Sequence, residues 1–478
     1  MQTTPAQLRL VLSAFVAMLV LSALDQTILS TALPAIVQEL HGQDRLSWVF
    51  SAYLMASTVA IPLYGRLADL HGAKPWLLVA TGLFLAGSLS CGLAGSMTQL
   101  VAARAVQGAG GGGLMTLTML GVAALVPVQR RSALQGLLGA SYGLAVMFGP
   151  LVGGVLVQHL SWHWAFFINL PVALVALPAI ALAMPATPPR PRQGVDMLGV
   201  VLLGAALVML LLATRRGGGG VDAGLWGLGP MLAMGALLSV AFLVAQRRAR
   251  HPMLPLSLFA RPAFSAAALI SASTGAALFS AVVFLPTYFQ TALGLTPTAS
   301  AWHLLPLMAG VTLAAIGSGR LLRAHGPLRR TALAACGLML LGLVSLVAAL
   351  RWAPGQAVVL SACVLPLGLG LGLLFPIVTA VAQRSAPPQH LGVATSTPIM
   401  LRTLGGALGV SALGAWVADQ LSTGLVAIPA QAGRPGVFAD ALALALQPVY
   451  GAVAGVCLLA AAAAWRLPLR VDMATHAA

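Results

Sequence analysis

A single carboxylate inside a long apolar run is the first residue of this sequence with clear chemical potential. Asp25 lies within residues 10–36, which are otherwise almost wholly apolar or small. An aspartate at the centre of a bilayer costs about 2.5–3.5 kcal/mol. The other acidic residues fall in predicted loops or near segment ends. We therefore expect this deep carboxylate to have a use, either to hold a proton or to hold a cation.

Arg104 is the predicted partner of Asp25. At 1.5 Å per helical residue, Asp25 lies about 22 Å along the first apolar segment, and Arg104 lies about 9 Å along a segment that enters from the opposite side. In an apolar core about 30 Å thick, both charges reach the same level. A nearby cation favours a charged carboxylate and burial disfavours it, so Arg104 could adjust proton loading. The alternative is a structural arginine bonded to backbone carbonyls.

The composition places the chain in a membrane. Only 7% of its 478 residues are charged and 59% are hydrophobic, whereas a soluble domain carries about 25% charged residues. The net charge of +16 does not indicate nucleic-acid binding, because the basic residues are scattered and form no basic face. The sequence contains no catalytic constellation, nucleotide loop or metal-ligand spacing. Neither an enzyme nor a bound cofactor or metal is expected.

Apolar stretches of about 20 residues, long enough to cross a bilayer, recur about fourteen times. They lie at residues 10–34, 46–66, 75–95, 98–126, 132–157, 163–184, 195–213, 224–246, 262–289, 299–322, 328–350, 357–382, 393–417 and 444–466. With both termini in the cytoplasm, most of the 25 Lys and Arg residues fall on the cytoplasmic side, in agreement with the positive-inside rule. The predicted fold class is an all-α, multi-pass membrane protein.

An internal repeat indicates two similar halves. Residues 65–72 (GRLADLHG) recur as residues 319–326 (GRLLRAHG), with Gly-Arg-Leu and His-Gly at matching positions. Repeats related in this way place a substrate site at their interface near the midplane. Chance similarity of a glycine-rich loop is the alternative. The predicted domains are an N-terminal six-helix half at 1–190, two inserted helices at 191–250 and a C-terminal six-helix half at 251–478.

The loop at residues 65–74 is predicted to influence conformation. Gly65 and Gly72 permit a tight turn and close helix approach, and Lys74 follows them. Asp69 could cap a helix or pair with a cation on a neighbouring helix. A pairing across the two halves would hold one conformation until it is broken. A generic solvated turn is the alternative.

A Gly-Pro segment in the fifth stretch is a second candidate for a conformational element. Pro150 removes a backbone donor and bends its helix. Gly149, Gly153 and Gly154 let another helix approach closely. Pure packing is the alternative, and packing and gating are compatible.

Aromatic, Met and polar side chains could line an adaptable apolar pocket for a small molecule. For any one of them, a position in the core or facing lipid is the alternative. The candidates are Tyr53, Met55, Gln107, Tyr142, Met147, Phe284, Tyr288, Gln290, His303, Phe375 and Met400.

These residues and their order resemble the major facilitator superfamily, specifically its fourteen-helix drug/proton antiporter family. The resemblance runs along nearly the whole chain. It is carried by residues 24–34 (LDQTILSTALP), 65–74 (GRLADLHGAK), 104–108 (RAVQG), 149–154 (GPLVGG), 162–171 (WHWAFFINLP) and 404–409 (LGGALG).

The resemblance implies a major facilitator fold and alternating access. It also implies proton-coupled export of small amphipathic, drug-like compounds, with the proton gradient as the only drive. Asp25 would be the proton site and Arg104 would modulate it. The sequence departs from the family at Leu70 and Ala73, where basic residues are usual, so the charge network of this loop is thinner. No further deep acid is predicted, which disfavours dications as substrates.

The resemblance places the chain in a bacterial cytoplasmic membrane as a monomer that contacts lipid, protons and a small-molecule substrate. A periplasmic adaptor is left open. A carrier for one specific metabolite, lipid or siderophore on the same fold is the alternative function. A receptor or intramembrane enzyme is disfavoured by the lack of catalytic clusters.

Overall fold

The fold is almost entirely helical. The computed structural model describes residues 4–41, 46–185, 194, 196–216, 228–321, 328–426 and 435–469. In these ranges the chain forms sixteen α-helices, with short 3-10 turns at Leu256–Ala260 and Pro388–His390. The α-helices are α1 (Pro5–Leu40), α2 (Leu46–His71), α3 (Ala73–Gly92), α4 (Met97–Leu125), α5 (Val128–His159), α6 (Trp164–Phe167), α7 (Asn169–Ala183), α8 (Met197–Arg216), α9 (Leu228–Arg248), α10 (Pro262–Thr291), α11 (Pro297–His303), α12 (Leu305–Leu321), α13 (Leu328–Trp352), α14 (Ala357–Arg384), α15 (Leu391–Val426) and α16 (Pro435–Ala464).

Within the described residues, every predicted apolar stretch overlaps a helix or two consecutive helices. Eleven helical segments of the described chain are long and apolar enough to cross a membrane, or twelve if the two bent parts of α5 form one span. The apolar part of α8, Met197–Leu210, is shorter. The all-α, multi-pass membrane class is therefore confirmed, whereas a count of fourteen spans stays a prediction.

Capping residues explain where several helices begin. Thr4 forms a capping box with Gln7 at the start of α1, and Ser96 accepts a hydrogen bond from the Gln99 amide at the start of α4. Such side chains satisfy backbone donors that a helix leaves free. Between α2 and α3, Gly72 adopts a φ of 84°, a left-handed value that glycine tolerates best. This one residue reverses the chain between two long helices.

The chain divides into two compact units, and the candidate site lies in the first. This unit comprises residues 1–204, 245–256 and 383–400. Within it α2 and α3 pack on α4, while α5 and α7 pack on α1. A Cβ atom at Gly108 would overlap the backbone of Tyr53, so α2 and α4 meet at backbone distance. This approach places Tyr53 beside the polar side chains of α4.

The second unit comprises residues 205–244, 257–382 and 401–478. Within it α16 packs against α10 and α13. Small residues again bring helices together: a Cβ atom at Gly275 of α10 would overlap the carbonyl of Arg402 in α15. The predicted division into two six-helix halves with an inserted pair stays a prediction. The second copy of the loop repeat extends beyond the described residues.

The ends of the predicted inserted helices are joined by a polar cluster in the first unit. Asp196 Oδ1 accepts from the Gly199 amide at 2.8 Å and caps α8. Its Oδ2 accepts from Gln246 Nε2 near the end of α9 at 2.5 Å. Gln246 Oε1 accepts from the Leu254 amide at 2.9 Å. The start of α8, the end of α9 and the chain that follows are therefore held to one another.

Candidate functional site

Asp25 and Arg104 form a buried ion pair. The Nη1 atom of Arg104 on α4 lies 2.6 Å from Oδ2 of Asp25 on α1. Asp25 is 2% exposed and Arg104 is 1% exposed. The structure therefore brings together two residues that the sequence predicted to lie at one level. Burying a charge pair is costly unless further hydrogen bonds satisfy both groups.

Two carboxamides complete the partners of the Asp25 carboxylate. Gln107 Nε2 donates to Oδ1 at 2.6 Å, and Asn169 Nδ2 donates to the same oxygen at 3.1 Å. Both nitrogens also donate to Ser88 Oγ, at 2.6 Å and 3.0 Å. We call these five residues, Asp25, Ser88, Arg104, Gln107 and Asn169, the Asp25 network. Arg104, Gln107 and Asn169 each direct a donor at the carboxylate, an arrangement that suits an acceptor-only side chain.

Arg104 has partners on every side. Its Nη1 also donates to Gln107 Oε1 at 2.6 Å, and its Nε donates to the carbonyl of Val49 at 3.3 Å. The guanidinium carbon lies 4.4 Å from the centre of the Tyr53 ring, a favourable cation–π distance. Arg104 thus keeps several partners beyond Asp25. Both of the sequence-based alternatives for this residue are present in its contacts.

An apolar cluster separates the Asp25 network from the Glu39 end of α1. The cluster includes Ile28, Leu29 and Ile36 of α1 and Trp162 and Phe166 near the start of α7, all at most 2% exposed. Beyond it, Trp162 Nε1 donates to Glu39 Oε2 at 2.7 Å. Because such a cluster excludes water, it keeps water away from this side of the Asp25 network.

Asp69 caps α15. Its Oδ1 accepts from the Gly392 amide at 2.6 Å and its Oδ2 accepts from the Val393 amide at 3.0 Å. The carboxylate is 7% exposed. A Cβ atom at Gly65 would overlap Ser396 and the carbonyl of Gly392. The helix cap that the sequence allowed for Asp69 is present, and it joins residues 323 positions apart.

The Gly-Pro segment of α5 packs on the helix that carries Asp25. A Cβ atom at Gly149 would overlap Thr27, and one at Gly153 would overlap Thr31. Gly154 has no neighbour within 4 Å of its Cβ position. The parts of α5 on either side of the segment meet at 44°, and Pro150 stands at this break, where it removes a backbone donor. The side chain of Pro150 lies outside the described residues.

The predicted pocket residues have varied surroundings. Gln107 and Tyr53 belong to the surroundings of Asp25 and Arg104, as described above. Met55, Phe284 and Met400 are buried, Tyr142 is partly buried and Gln290 is exposed. The Met147 side chain lies outside the described residues. For these residues, contact with a substrate stays a prediction.

Three further pocket candidates already have partners inside the second unit. Tyr288 donates its hydroxyl hydrogen to the carbonyl of Pro354 at 2.9 Å. His303 Nδ1 and Ser361 Oγ are 2.8 Å apart. The guanidinium carbon of Arg402 lies 4.5 Å from the centre of the Phe375 ring. The sequence reasoning placed Arg402 within a span but did not connect it with Phe375.

Ser88 and Asn169 were not predicted as site residues. Asn169 appeared only within a matched family segment, and Ser88 carried no signal, because serine is common in apolar helices. Ser88 lies sixteen residues before Arg104 on the neighbouring helix α3. A search for polar residues at the level of Asp25 on α3 would have found it. The distance along each helix from the membrane surface is the signal that places Ser88 and Asn169 at the level of Asp25.

The fold and this site define a multi-pass helical membrane protein with an arginine–aspartate pair buried in its interior. Residues 15–410 match the Major Facilitator Superfamily, and the chain belongs to that family of transporters. It is 33% identical over 435 residues to the multidrug transporter protein MdtP of Bacillus subtilis, covering 88% of this chain and 79% of the relative. It is 30% identical to multidrug resistance protein 3 of the same organism, covering 83% and 77%.

A solved transporter has the same fold. The proton:xylose symporter XylE superposes on this chain with a TM-score of 0.64, covering 97% of this chain and 96% of the symporter at 13% sequence identity. The predicted major facilitator fold is thereby confirmed.

Proposed function

We propose that this protein exports small amphipathic, drug-like compounds from the cytoplasm by alternating access, driven by inward proton flow. The observation that carries the proposal is the buried pair of Asp25 and Arg104, 2.6 Å apart. An ionisable residue within a membrane span is a functional-site candidate by default. The names of the two Bacillus relatives, a multidrug transporter and a multidrug resistance protein, support the substrate class.

In the proposed cycle, Asp25 is the proton carrier. A proton that arrives from outside neutralises the carboxylate, which weakens its attraction to Arg104 and favours the inward-facing return. Arg104 remains supported by Gln107 Oε1 and the Val49 carbonyl. Substrate loading from the cytoplasm then displaces the proton. Proton and substrate thus compete for one side chain.

The Asp69 cap on α15 is the proposed conformational lock. The buried carboxylate accepts from two amides at the positive end of a helix dipole, an interaction that holds one arrangement of α2 and α15. Breaking the cap would accompany the change of access. The glycines of α5 that pack on α1 would transmit the movement to Asp25.

Location and partners follow from the same proposal. The protein works in a bacterial cytoplasmic membrane with both termini in the cytoplasm and as a monomer. No cofactor is needed besides the proton gradient. Since Asp25 is the proposed site for cation recognition, monocationic, neutral or zwitterionic compounds are the preferred cargo. A periplasmic adaptor is an optional partner.

Asp25→Asn tests the proposal in proteoliposomes with an imposed pH gradient. Gradient-driven export of dyes and antibiotics of several classes should fall to the level of empty vesicles, because the carboxamide carries no exchangeable charge. Downhill substrate exchange should persist, since the neutral side chain resembles the protonated carboxyl. Asp440→Asn is the matched control, because Asp440 is an exposed carboxylate on α16.

Two results would contradict the proposal in different ways. Undiminished gradient-driven export by Asp25→Asn would exclude Asp25 as the coupling site. Wild-type transport of one tightly bound metabolite, lipid or siderophore, with no export of dyes, would favour the specific carrier instead.

A further inference from the structure

Ser88 joins the two carboxamides that contact Asp25. Its hydroxyl oxygen accepts from Gln107 Nε2 at 2.6 Å and from Asn169 Nδ2 at 3.0 Å. Each of these nitrogens also donates to Asp25 Oδ1. An amide nitrogen carries two hydrogens, so Ser88 and Asp25 together use all four. The result is a closed ring of hydrogen bonds among α1, α3, α4 and α7.

The orientation of the Asn169 carboxamide is fixed by the hydrogen bonds that its Nδ2 atom donates. Its Oδ1 is buried and has no hydrogen-bond partner among the described residues. A buried acceptor without a partner is unfavourable, yet rotating the carboxamide end for end would turn its oxygen onto the Asp25 carboxylate. Ser88 and Asp25 therefore hold the N–H end inward. Ser88 is 0% exposed and so is Asn169, which leaves little competition from bulk water.

We propose that Ser88 and Asn169 control whether Asp25 can take up a proton. Both carboxamide nitrogens donate to Oδ1, and hydrogen bonds of this kind favour the charged form of a carboxyl group. Moving Ser88 or Asn169 away weakens these hydrogen bonds and so favours proton uptake. Both are positioning residues that act through the hydrogen bonds to Asp25. This inference rests on the proposed role of Asp25 in proton coupling and adds the regulation of that site.

Asn169 is well placed to link proton uptake to a helix movement. It is the first residue of α7, directly after Ile168, which separates α7 from the short helix α6. A shift of this junction would withdraw Nδ2 from both Asp25 and Ser88. Conformational change at the start of α7 would thus switch the site from a proton-free to a proton-accepting state.

Asp25 is the carboxylate of this ring, so a carboxylic-acid band from the ring reports proton uptake by Asp25. The titratable groups that interact with it are Arg104 on α4, Cys91 on α3 and Tyr53 on α2, with Tyr142 of α5 next to Tyr53. In their ordinary ranges arginine stays charged, and thiols and phenols stay neutral, at about pH 7. A titration of this region should therefore report Asp25.

Infrared titration of the purified, full-length transporter tests the inference without transport. The carboxylic-acid band of Asp25 is assigned by its loss in Asp25→Asn, and its appearance is followed as the pH is lowered. Asn169→Leu removes one hydrogen bond to the charged form, and Ser88→Ala removes the acceptor that orients both carboxamides. Both variants should show the band at higher pH than wild type, by about one pH unit. Ser88→Thr keeps a hydroxyl and should restore the wild-type titration.

Thr81→Val is the matched control for the loss of a buried hydroxyl on α3. Thr81 is 0% exposed and donates to the Leu77 carbonyl at 2.7 Å, away from Asp25. The Asp25 band of Thr81→Val should therefore appear at the same pH as in wild type. If wild type shows no carboxylic-acid band in the accessible pH range, the appearance of this band in Ser88→Ala and Asn169→Leu supports the inference. Wild-type titration in Ser88→Ala and in folded Asn169→Leu would overturn it. A wild-type protein without proton-driven export would overturn the proposed function instead.

Discussion

Among single residues, Arg104 decides whether the buried carboxylate of Asp25 is tolerable. Asp25 and Arg104 are almost completely buried. Arg104 donates hydrogen bonds to Asp25, Gln107 and the Val49 carbonyl. Removing one partner of a buried pair leaves an uncompensated charge, which costs about 3–5 kcal/mol, whereas removing both is far less costly. Arg104 is thus a structural and an electrostatic partner at the same time.

Arg104→Gln should therefore lower thermal stability markedly, by an amount on the order of 3–5 kcal/mol. Adding Asp25→Asn to this variant should recover most of the loss, because the double variant buries no charge at this position. The measurement is a thermal unfolding series in detergent on wild type, both single variants and the double variant. Equal losses in Arg104→Gln and in the double variant would mean that packing, rather than charge, governs the site.

At the scale of helices, the position of Asp25 depends on how closely α5 approaches α1. The glycines at 149 and 153 leave room for Thr27 and Thr31, and any Cβ there would overlap these side chains. Both threonines lie within two turns of Asp25 on the same helix. A displaced α1 would move Asp25 away from the donors on α4 and α7.

Gly149→Ala and Gly153→Ala should each reduce gradient-driven export and thermal stability. Overpacking of this kind costs about 1–3 kcal/mol, and the displacement of α1 should lower transport further. Gly139→Ala on the same helix is the matched control, because its Cβ position has no neighbour within 4 Å. Vesicle transport and thermal unfolding are measured for all three variants. Losses in Gly139→Ala as large as those in Gly149→Ala would contradict the argument.

The helices and the central ion pair were predictable from sequence, whereas much of the surrounding network was not. Long apolar runs fix helix positions through the bilayer thickness, and a rise of 1.5 Å per residue brought Asp25 and Arg104 to one level. Ser88 was missed because a hydroxyl in an apolar helix is usually bonded to its own backbone. Tyr53 was assigned to a substrate pocket because an aromatic side chain suits a pocket, a core or a cation equally well.

At the scale of the whole molecule, one helix connects distant parts of the chain. The first ten residues of α15 belong to the first compact unit, and the rest of α15 belongs to the second. Asp69 holds the start of this helix through the Gly392 and Val393 amides. Asp69 lies in the last turn of α2, where a loop was predicted, so the cap lets a helix of the N-terminal sequence influence a helix of the C-terminal sequence.

Asp69→Ala should release the start of α15. Without the carboxylate, the amides of Gly392 and Val393 lose their acceptors and should exchange with solvent deuterium much faster than in wild type, and the loss of the cap should cost about 0.5–2 kcal/mol. Hydrogen exchange read by mass spectrometry on peptides that cover 388–396 measures this directly. Gradient-driven export should fall, since the arrangement that the cap stabilises becomes less populated.

Asp196→Ala separates this effect from the ordinary loss of a helix cap. Asp196 also accepts from an amide, that of Gly199 at the start of α8, and from Gln246 of α9. Its removal should speed exchange at the start of α8 and leave 388–396 unchanged. If Asp69→Ala accelerates exchange at 388–396 while export stays at the wild-type rate, the cap is a local stabiliser and the conformational lock must lie elsewhere. If exchange is unchanged, Asp69 does not hold α15 in solution.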